Sequence, residues 1–231
     1  LRAALAQHPV LRVFVRWRDV ETRGRTAAAH GVQVRLSDDE GRLISAAKSV
    51  AVMVAALTLH AAYDFSEVVA VDGSYDPEHS VRAWSGTPTP ATAWGAYDGR
   101  CFHGGALPPA SGNHAAELVA IHATLARVPD DARVLLLCDC QGAMSAIESV
   151  WRGASGGAAH DENATARGKA VTVVDAIVRR RRAMGDAGGT VVFLYTPAHS
   201  GGISANAYAD AAAKAHLGAP PCEPDLQLST S

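Results

Sequence analysis

The chain has 231 residues, of which 48% are hydrophobic and 19% charged, and its formal net charge is −2. This apolar content excludes intrinsic disorder and collagen-like structure, and the length suits one substantial domain with an appendage. Four cysteines do not suggest a disulfide framework, and neither a secretory leader nor a membrane-spanning apolar run is visible, so we expect an intracellular (cytoplasmic or nuclear) protein without membrane contact.

Residues 1–62 are predicted to form a small α+β module that packs against or tethers the rest of the chain; its function is not specified by its residues. Its pattern indicates a strand at 11–17, a hairpin around 32–44 and an Ala/Val-rich helix at 46–62. The module carries 9 Lys+Arg against 5 Asp+Glu, whereas residues 63–231 carry 12 against 18. A polyanion-binding site in the acidic part would therefore need bound cations to offset its charge.

Residues 66–218 are predicted to form the main α/β unit, and residues 219–231 a flexible tail. A Pro/Thr/Ser-rich loop is expected at about 76–92, and Asp98-Gly99 predicts a hairpin turn. The strand at 134–138 is apolar on both faces, which is typical of a central strand covered by helices. Strands are expected at 68–71, 93–97, 101–107, 134–138 and 191–195, and helices at 113–128, after 139, at 165–184 and at 206–217. This order predicts a mixed sheet flanked by helices.

Four acidic residues lie where these elements can bring them together. Asp72 and Asp139 each end an apolar strand, and two parallel neighbouring strands would deliver both acids to one carboxyl edge of the sheet. Glu117 and Asp210 lie on helices that can pack over that edge. Taken singly, each acid also has an ordinary structural explanation, as a turn residue, a helix N-cap or a solvated side chain.

A pocket of four carboxylates requires cations, because the acids otherwise raise one another's pKa values. Hard oxygen ligands without His or Cys suit Mg²⁺, for which Mn²⁺ can substitute. Two such ions are a common device for in-line displacement at phosphorus. The four acids therefore predict a two-ion site that acts on a phosphodiester.

Five short motifs resemble those of the ribonuclease H family in order and spacing, over about residues 66–218. They are VDGS (71–74), NHAAEL (113–118), LCDCQ (137–141), PAHSG (197–201) and NAYAD (206–210). The resemblance implies a five-stranded mixed sheet and metal-dependent endonucleolytic cleavage of the RNA strand of an RNA–DNA hybrid. It implies that the metal-binding, catalytic acids are Asp72, Glu117, Asp139 and Asp210. It also implies that His199 assists proton transfer or product departure.

The resemblance further implies contacts to the hybrid. Asn113, Gln141 and Asn206 match positions where the family places side-chain amides near the minor groove, which displays the 2′-hydroxyls of the RNA strand. Gly73 and Ser74, in the first motif, are predicted substrate-binding residues as well.

A run of four arginines at 179–182 ends a predicted helix. At most about two of four successive helical side chains can face one duplex. We predict phosphate contacts for Arg179 and Arg180, and the alternative is a solvated last turn that complements the helix dipole.

Three departures from the family pattern are visible. Cys140 stands where a small hydroxyl residue is usual, and the spacing from His199 to Asp210 is one residue longer than the common one. The loop between the first two strands is also longer than usual. None of these departures removes an acid, so an active site is expected.

The motifs and the 62-residue lead favour the RNase H portion of a retroelement or viral reverse transcriptase polyprotein, with the polymerase as a partner domain. Two other functions stay open. One is a non-catalytic RNase H-like scaffold or nucleic-acid-binding module, which typically loses acids. The other is a four-acid 3′ exonuclease, which requires Asp-x-Glu where this chain has Asp72-Gly73-Ser74.

Overall fold

The computed structural model describes residues 52, 54–82, 88–108, 111–153, 164–196 and 205–217. A first helix, α1, covers residues 54–63. The other elements, in chain order, are β1 (Glu67–Arg82), β2 (Pro88–Tyr97), β3 (Phe102–Ala106), α2 (Asn113–Arg127), β4 (Arg133–Cys138), α3 (Gln141–Trp151), α4 (Ala164–Asp186), β5 (Thr190–Tyr195) and α5 (Ala205–Ala215).

The five strands form one mixed sheet in the order β3-β2-β1-β4-β5. β1 pairs antiparallel with β2 and parallel with β4, and β4 pairs parallel with β5. Val71 of β1 lies opposite Cys138 of β4, so the next residues, Asp72 and Asp139, reach the same edge of the sheet. The predicted mixed sheet is confirmed, and so is the parallel pairing of the two strands that carry these acids.

Apolar side chains cover both faces of the sheet. Val69 and Val71 pack into the core with α2, α3 and α4, whereas Val68 and Ala70 pack on the opposite face with α1 and α5. Every β4 residue from 134 to 138 is buried. The central, doubly covered strand expected from its apolar composition is therefore present.

Helix α1 belongs to this packing. Ala56 of α1 is fully buried and lies in one cluster with Phe65, Val68 and Ala70. The end of the predicted N-terminal module thus covers part of the sheet. The strand and hairpin predicted earlier in that module, and the tail at 219–231, lie outside the described residues and stay predictions.

The prediction of a loop at residues 76–92 was wrong for most of these residues. β1 continues to Arg82 and β2 begins at Pro88, and their pairing resumes after an irregularity between Asp76 and Ser80. Cross-strand pairing outweighs the loop-like composition here. Pro88 is compatible with a strand because it is the first residue of β2. Residues 83–87 lie outside the described part of the chain.

The turn predicted at Asp98-Gly99 is confirmed. Asp98 Oδ1 accepts hydrogen bonds from the backbone N–H groups of Arg100 and Cys101, both at 2.7 Å, and Gly99 adopts a φ of 92°. An acceptor side chain followed by a glycine is suited to such a tight turn.

Helix α5 packs directly on the backbone of β2 at Gly95, which lies opposite Asp72. A Cβ atom added at residue 95 would lie 2.3 Å from the carbonyl oxygen of Ala209 and 2.4 Å from the nitrogen of Ala213. The absence of a side chain at Gly95 therefore lets α5 approach the edge that carries the acids. None of the helices in the described ranges is long and apolar enough to span a membrane.

We predict that Gly95→Ala lowers the free energy of unfolding by about 1–3 kcal/mol, because the added methyl group forces α5 away from β2. Urea denaturation followed by circular dichroism measures the change. Gly185→Ala is the matched control, since no described atom lies within 4 Å of a Cβ there; it should be neutral or stabilising by up to about 1 kcal/mol. Equal stability of Gly95→Ala and the parent chain would contradict the close packing.

Candidate active site

Three acidic side chains converge at the carboxyl edge of β1 and β4. Asp72, Glu117 and Asp139 each offer a carboxylate oxygen, and these oxygens all lie within 4.8 Å of one another. Asp72 and Glu117 are 6% and 2% exposed, and Asp139 is half-buried. The structure therefore brings together three of the four acids expected from the sequence.

Gly73 brings Glu117 to the strand. A Cβ atom at residue 73 would lie 2.6 Å from the nitrogen of Glu117 and 2.8 Å from the Cβ of Ala116, so α2 rests on the bare backbone of β1. The backbone N–H of Gly73 also donates a hydrogen bond to the Glu117 carboxylate. The glycine after the first acid thus positions the second acid.

The close carboxylates change one another's acidity. Burial and then the charges of the neighbouring acids, Glu117 foremost, raise the pKa of Asp72 well above its ordinary value of 3.8. Burial and the charge of Asp139 raise the pKa of Glu117 above 4.5. The carboxyls of Asp72 and Glu117 also interact directly, so the pair binds a proton more tightly than a free carboxylate does.

Asp210 lies at the margin of this group. Its charge raises the pKa of both Asp72 and Glu117, so it is close enough to act on them. Its carboxylate does not belong to the 4.8 Å group, and its Oδ2 accepts a 2.7 Å hydrogen bond from Lys214 Nζ. The spacing of four residues on a helix is the sequence signal by which Lys214 could have been found.

The three acids fit a hard divalent cation. Glu117 Oε2 is buried and accepts no hydrogen bond from the described residues. A buried carboxylate oxygen without a donor is costly unless a cation binds it. Three carboxylates without a His or Cys among them form a ligand set for Mg²⁺ or Mn²⁺.

Comparison with known families decides the assignment. The RNase H family model matches residues 66–217. The chain belongs to the ribonuclease H family. The matched range contains all five strands and the helices α2 to α5. No curated protein matches the chain in sequence. Family membership supports hydrolysis of nucleic acid, and the acidic group supplies this RNase H domain with ligands for a metal.

The first turns of α2 and α3 lie side by side next to the acids. Asn113 and Gln141 are the first residues of these helices and both are exposed. Cys140 Sγ lies 4.0 Å from His114 Nδ1, which connects the two turns. The amides predicted to contact the hybrid are therefore accessible. Sequence reasoning missed His114, whose only signal was its place directly after Asn113.

Cys140 caps the start of α3, a role that a hydroxyl residue at this position would also have. It is the N-cap of α3, and its Sγ accepts a 3.4 Å hydrogen bond from the backbone N–H of Ala143. A thiol is a weak acceptor, so this N-cap is weaker than one formed by serine or threonine. The departure from the family pattern leaves the helix start intact in the RNase H domain.

Two arginines of the 179–182 run brace the helices. Arg180 donates to the carbonyl oxygens of Leu125 and Val128, at 3.0 and 2.7 Å, and pairs with Asp130. Leu125 is eight residues beyond Glu117 on α2, roughly 12 Å along the helix axis. Arg180 therefore holds the far end of α2, whereas Arg179 is exposed.

Arg181 braces a different helix. It pairs with Glu148 of α3 at 2.6 Å and lies over the ring of Trp151, 4.3 Å from its centroid. The alternative prediction, that the four arginines form the solvated last turn of their helix, was wrong, because α4 continues to Asp186. Tertiary contacts of this kind are not visible in a run of like charges.

The remaining predicted site residues are placed as follows. Ser74 is buried and lies opposite Ala93 in the sheet. Asn206 is buried, and its Nδ2 lies 3.2 Å from Asp72 Oδ2 and 2.7 Å from Asp139 Oδ2. His199 lies outside the described residues, so its role stays a prediction.

The raised pKa values predict how the stability of the metal-free protein depends on pH. Because Asp72 and Glu117 bind protons more tightly when folded than when unfolded, their contribution to the free energy of unfolding is complete below about pH 4. It is lost as pH rises through the raised folded-state values. We expect the metal-free protein to be less stable at pH 8 than at pH 5, by at least about 1 kcal/mol.

Urea denaturation in EDTA at both pH values measures this effect, and Mg²⁺ should reduce it by neutralising the ionised acids. Asp72→Asn is the matched control, since an amide keeps the shape and cannot ionise. It should lose the part of the dependence that Asp72 contributes and keep the part from Glu117, whose pKa is raised by burial and by Asp139. An identical pH dependence in the parent chain and Asp72→Asn would contradict the electrostatic coupling.

Proposed function

We propose that this RNase H domain is a metal-dependent endoribonuclease that hydrolyses the RNA strand of RNA–DNA hybrids by a two-metal-ion mechanism. Its metal ligands would be Asp72, Glu117, Asp139 and Asp210, and its ions Mg²⁺, for which Mn²⁺ can substitute. The observation that carries the proposal is the group of three carboxylates within 4.8 Å, two of them buried, in a domain of the ribonuclease H family.

Divalent ions held by these acids supply Lewis-acid activation of water and stabilise negative charge on the leaving oxygen. The protein supplies the fixed carboxylates. Asp72 and Asp139 are fixed by paired strands, and Glu117 by a helix that rests on Gly73. Asp210 adds charge at the margin, with its carboxylate held by Lys214.

The neighbouring helix starts support a nucleic-acid substrate. The N-termini of α2 and α3 are joined through His114 and Cys140, and helix N-termini attract phosphate groups. Asn113 and Gln141 are exposed there and can reach 2′-hydroxyls in a minor groove. Gly73, Ser74 and the exposed Arg179 stay predicted substrate contacts. The guanidinium of Arg180 has partners within the fold, which leaves it less available to phosphate.

We also propose that the domain works as the RNase H portion of a reverse transcriptase polyprotein. The net charge of residues 63–231 is −6, which disfavours unaided binding of a polyanion. A linked polymerase that holds the hybrid would raise its local concentration at the nuclease.

The experiment that tests the function compares three labelled substrates of one sequence: RNA–DNA hybrid, duplex RNA and duplex DNA. With Mg²⁺ we expect internal cuts in the RNA strand of the hybrid alone, and no cleavage in EDTA. Equal cleavage of all three duplexes, or cleavage that EDTA does not impair, would contradict the proposal. Hybrid binding without cleavage would favour the non-catalytic module, and release of single nucleotides from a 3′ end would favour the exonuclease.

Asp139→Asn should reduce kcat by about 10³-fold or more, because a neutral amide cannot replace the negative charge that holds the ions. Circular dichroism should show an unchanged fold. Asp186→Asn is the matched control, since Asp186 is an exposed acid at the end of α4; its activity should equal that of the parent chain. Retained activity in Asp139→Asn would show that cleavage does not depend on the three clustered carboxylates.

His199→Ala should slow cleavage without abolishing it, since a histidine that assists proton transfer contributes up to about 10²–10⁴-fold. Single-turnover and steady-state rates on the hybrid separate the chemical step from product release. A rate equal to that of the parent chain would exclude both roles for His199.

A further inference from the structure

Asn206 occupies an unusual position among the predicted substrate-binding residues. It lies in the first turn of α5, is 4% exposed and faces the acids. Its single Nδ2 atom donates to Asp139 Oδ2 at 2.7 Å and to Asp72 Oδ2 at 3.2 Å. One amide nitrogen thus connects carboxylates from two neighbouring strands, and both of its hydrogens are used.

The carboxylates determine the orientation of this amide. Rotation by half a turn would place Oδ1 against two acceptor oxygens, which repel it. In the observed orientation Oδ1 is buried and accepts no hydrogen bond from the described residues. The free energy gained from the two hydrogen bonds to the acids therefore exceeds the cost of burying the carbonyl oxygen without a partner, as expected of charge-assisted bonds.

The helix holds Asn206 firmly in place. α5 rests on Gly95, the residue opposite Asp72 in β2, and Ala209 in the next turn is fully buried. The amide is thus presented to the acids from a packed helix and brings two donors without adding a charge.

We propose that Asn206 is a positioning residue that holds Asp72 and Asp139 together for a divalent cation and does not contact the hybrid. This inference rests on the proposed metal site. Without the amide the two carboxylates repel each other and separate, so a cation must first bring them back together. Loss of such a supporting hydrogen bond typically weakens metal affinity about 10–100-fold.

The test measures Mn²⁺ binding to the full metal-free chain without any nucleic acid, from the electron paramagnetic resonance signal of free Mn²⁺. We expect Asn206→Ala to weaken Mn²⁺ affinity about 10–100-fold. The KM for the hybrid at saturating Mn²⁺ should stay unchanged. Asn113→Ala is the matched control, because it removes an exposed amide at the start of α2; it should raise the KM and leave Mn²⁺ affinity unchanged.

Circular dichroism shows whether Asn206→Ala folds. If it does not fold, Asn206→Ser becomes the deciding variant, because its hydroxyl keeps one short hydrogen-bond donor. The Mn²⁺ affinity of Asn206→Ser should still be below that of the parent chain. Parent-like Mn²⁺ affinity in the deciding variant would overturn the inference. A raised KM at saturating Mn²⁺ with unchanged Mn²⁺ affinity would instead make Asn206 a substrate contact. A parent chain that binds no Mn²⁺ would overturn the proposed nuclease function itself.

Discussion

Placing three carboxylates within 4.8 Å of one another below the protein surface costs free energy, because burial removes the water that would screen their charges. The fold surrounds the acids with donors that reduce this cost. The Gly73 N–H donates to Glu117, and Asn206 donates to Asp72 and Asp139. These donors leave Glu117 Oε2 without a partner among the described residues, which makes the group suitable for a cation.

Two glycines let the helices reach the acids from both faces of the sheet. Gly73 admits α2, and Gly95, in the neighbouring strand, admits α5. Because each helix touches backbone at these points, the side chains of Glu117 and Asn206 are held next to Asp72. Close packing at the sheet is thus the physical basis of the site geometry.

The arginine run at 179–182 holds the two helices whose first turns border the acids. Arg180 is bound to the end of α2 and Arg181 to α3, and the starts of these two helices border the acids. Arg180 and Arg181 belong to a run whose charge suggests nucleic-acid contacts, yet both bind partners within the fold. Surface ion pairs contribute little to stability, but Arg180 also satisfies two carbonyl oxygens near the end of α2.

Much of the architecture was determined by local sequence. The doubly apolar strand before Asp139, the Asp98-Gly99 turn and the helical period after Asn113 each encode an element, because burial and turn chemistry act over a few residues. The order of these elements and the motifs were enough to predict the mixed sheet and four converging acids, three of which the structure brings within 4.8 Å of one another.

Only the tertiary structure decided what lies between distant residues. It extended β1 and β2 through a stretch that reads as a loop, because strand pairing depends on the partner strand. It turned Asn206 toward Asp72, 134 positions away, and gave Arg180 its carbonyl partners. A local pattern records whether a side chain is polar or apolar, whereas the direction in which it points depends on packing between elements far apart in the chain.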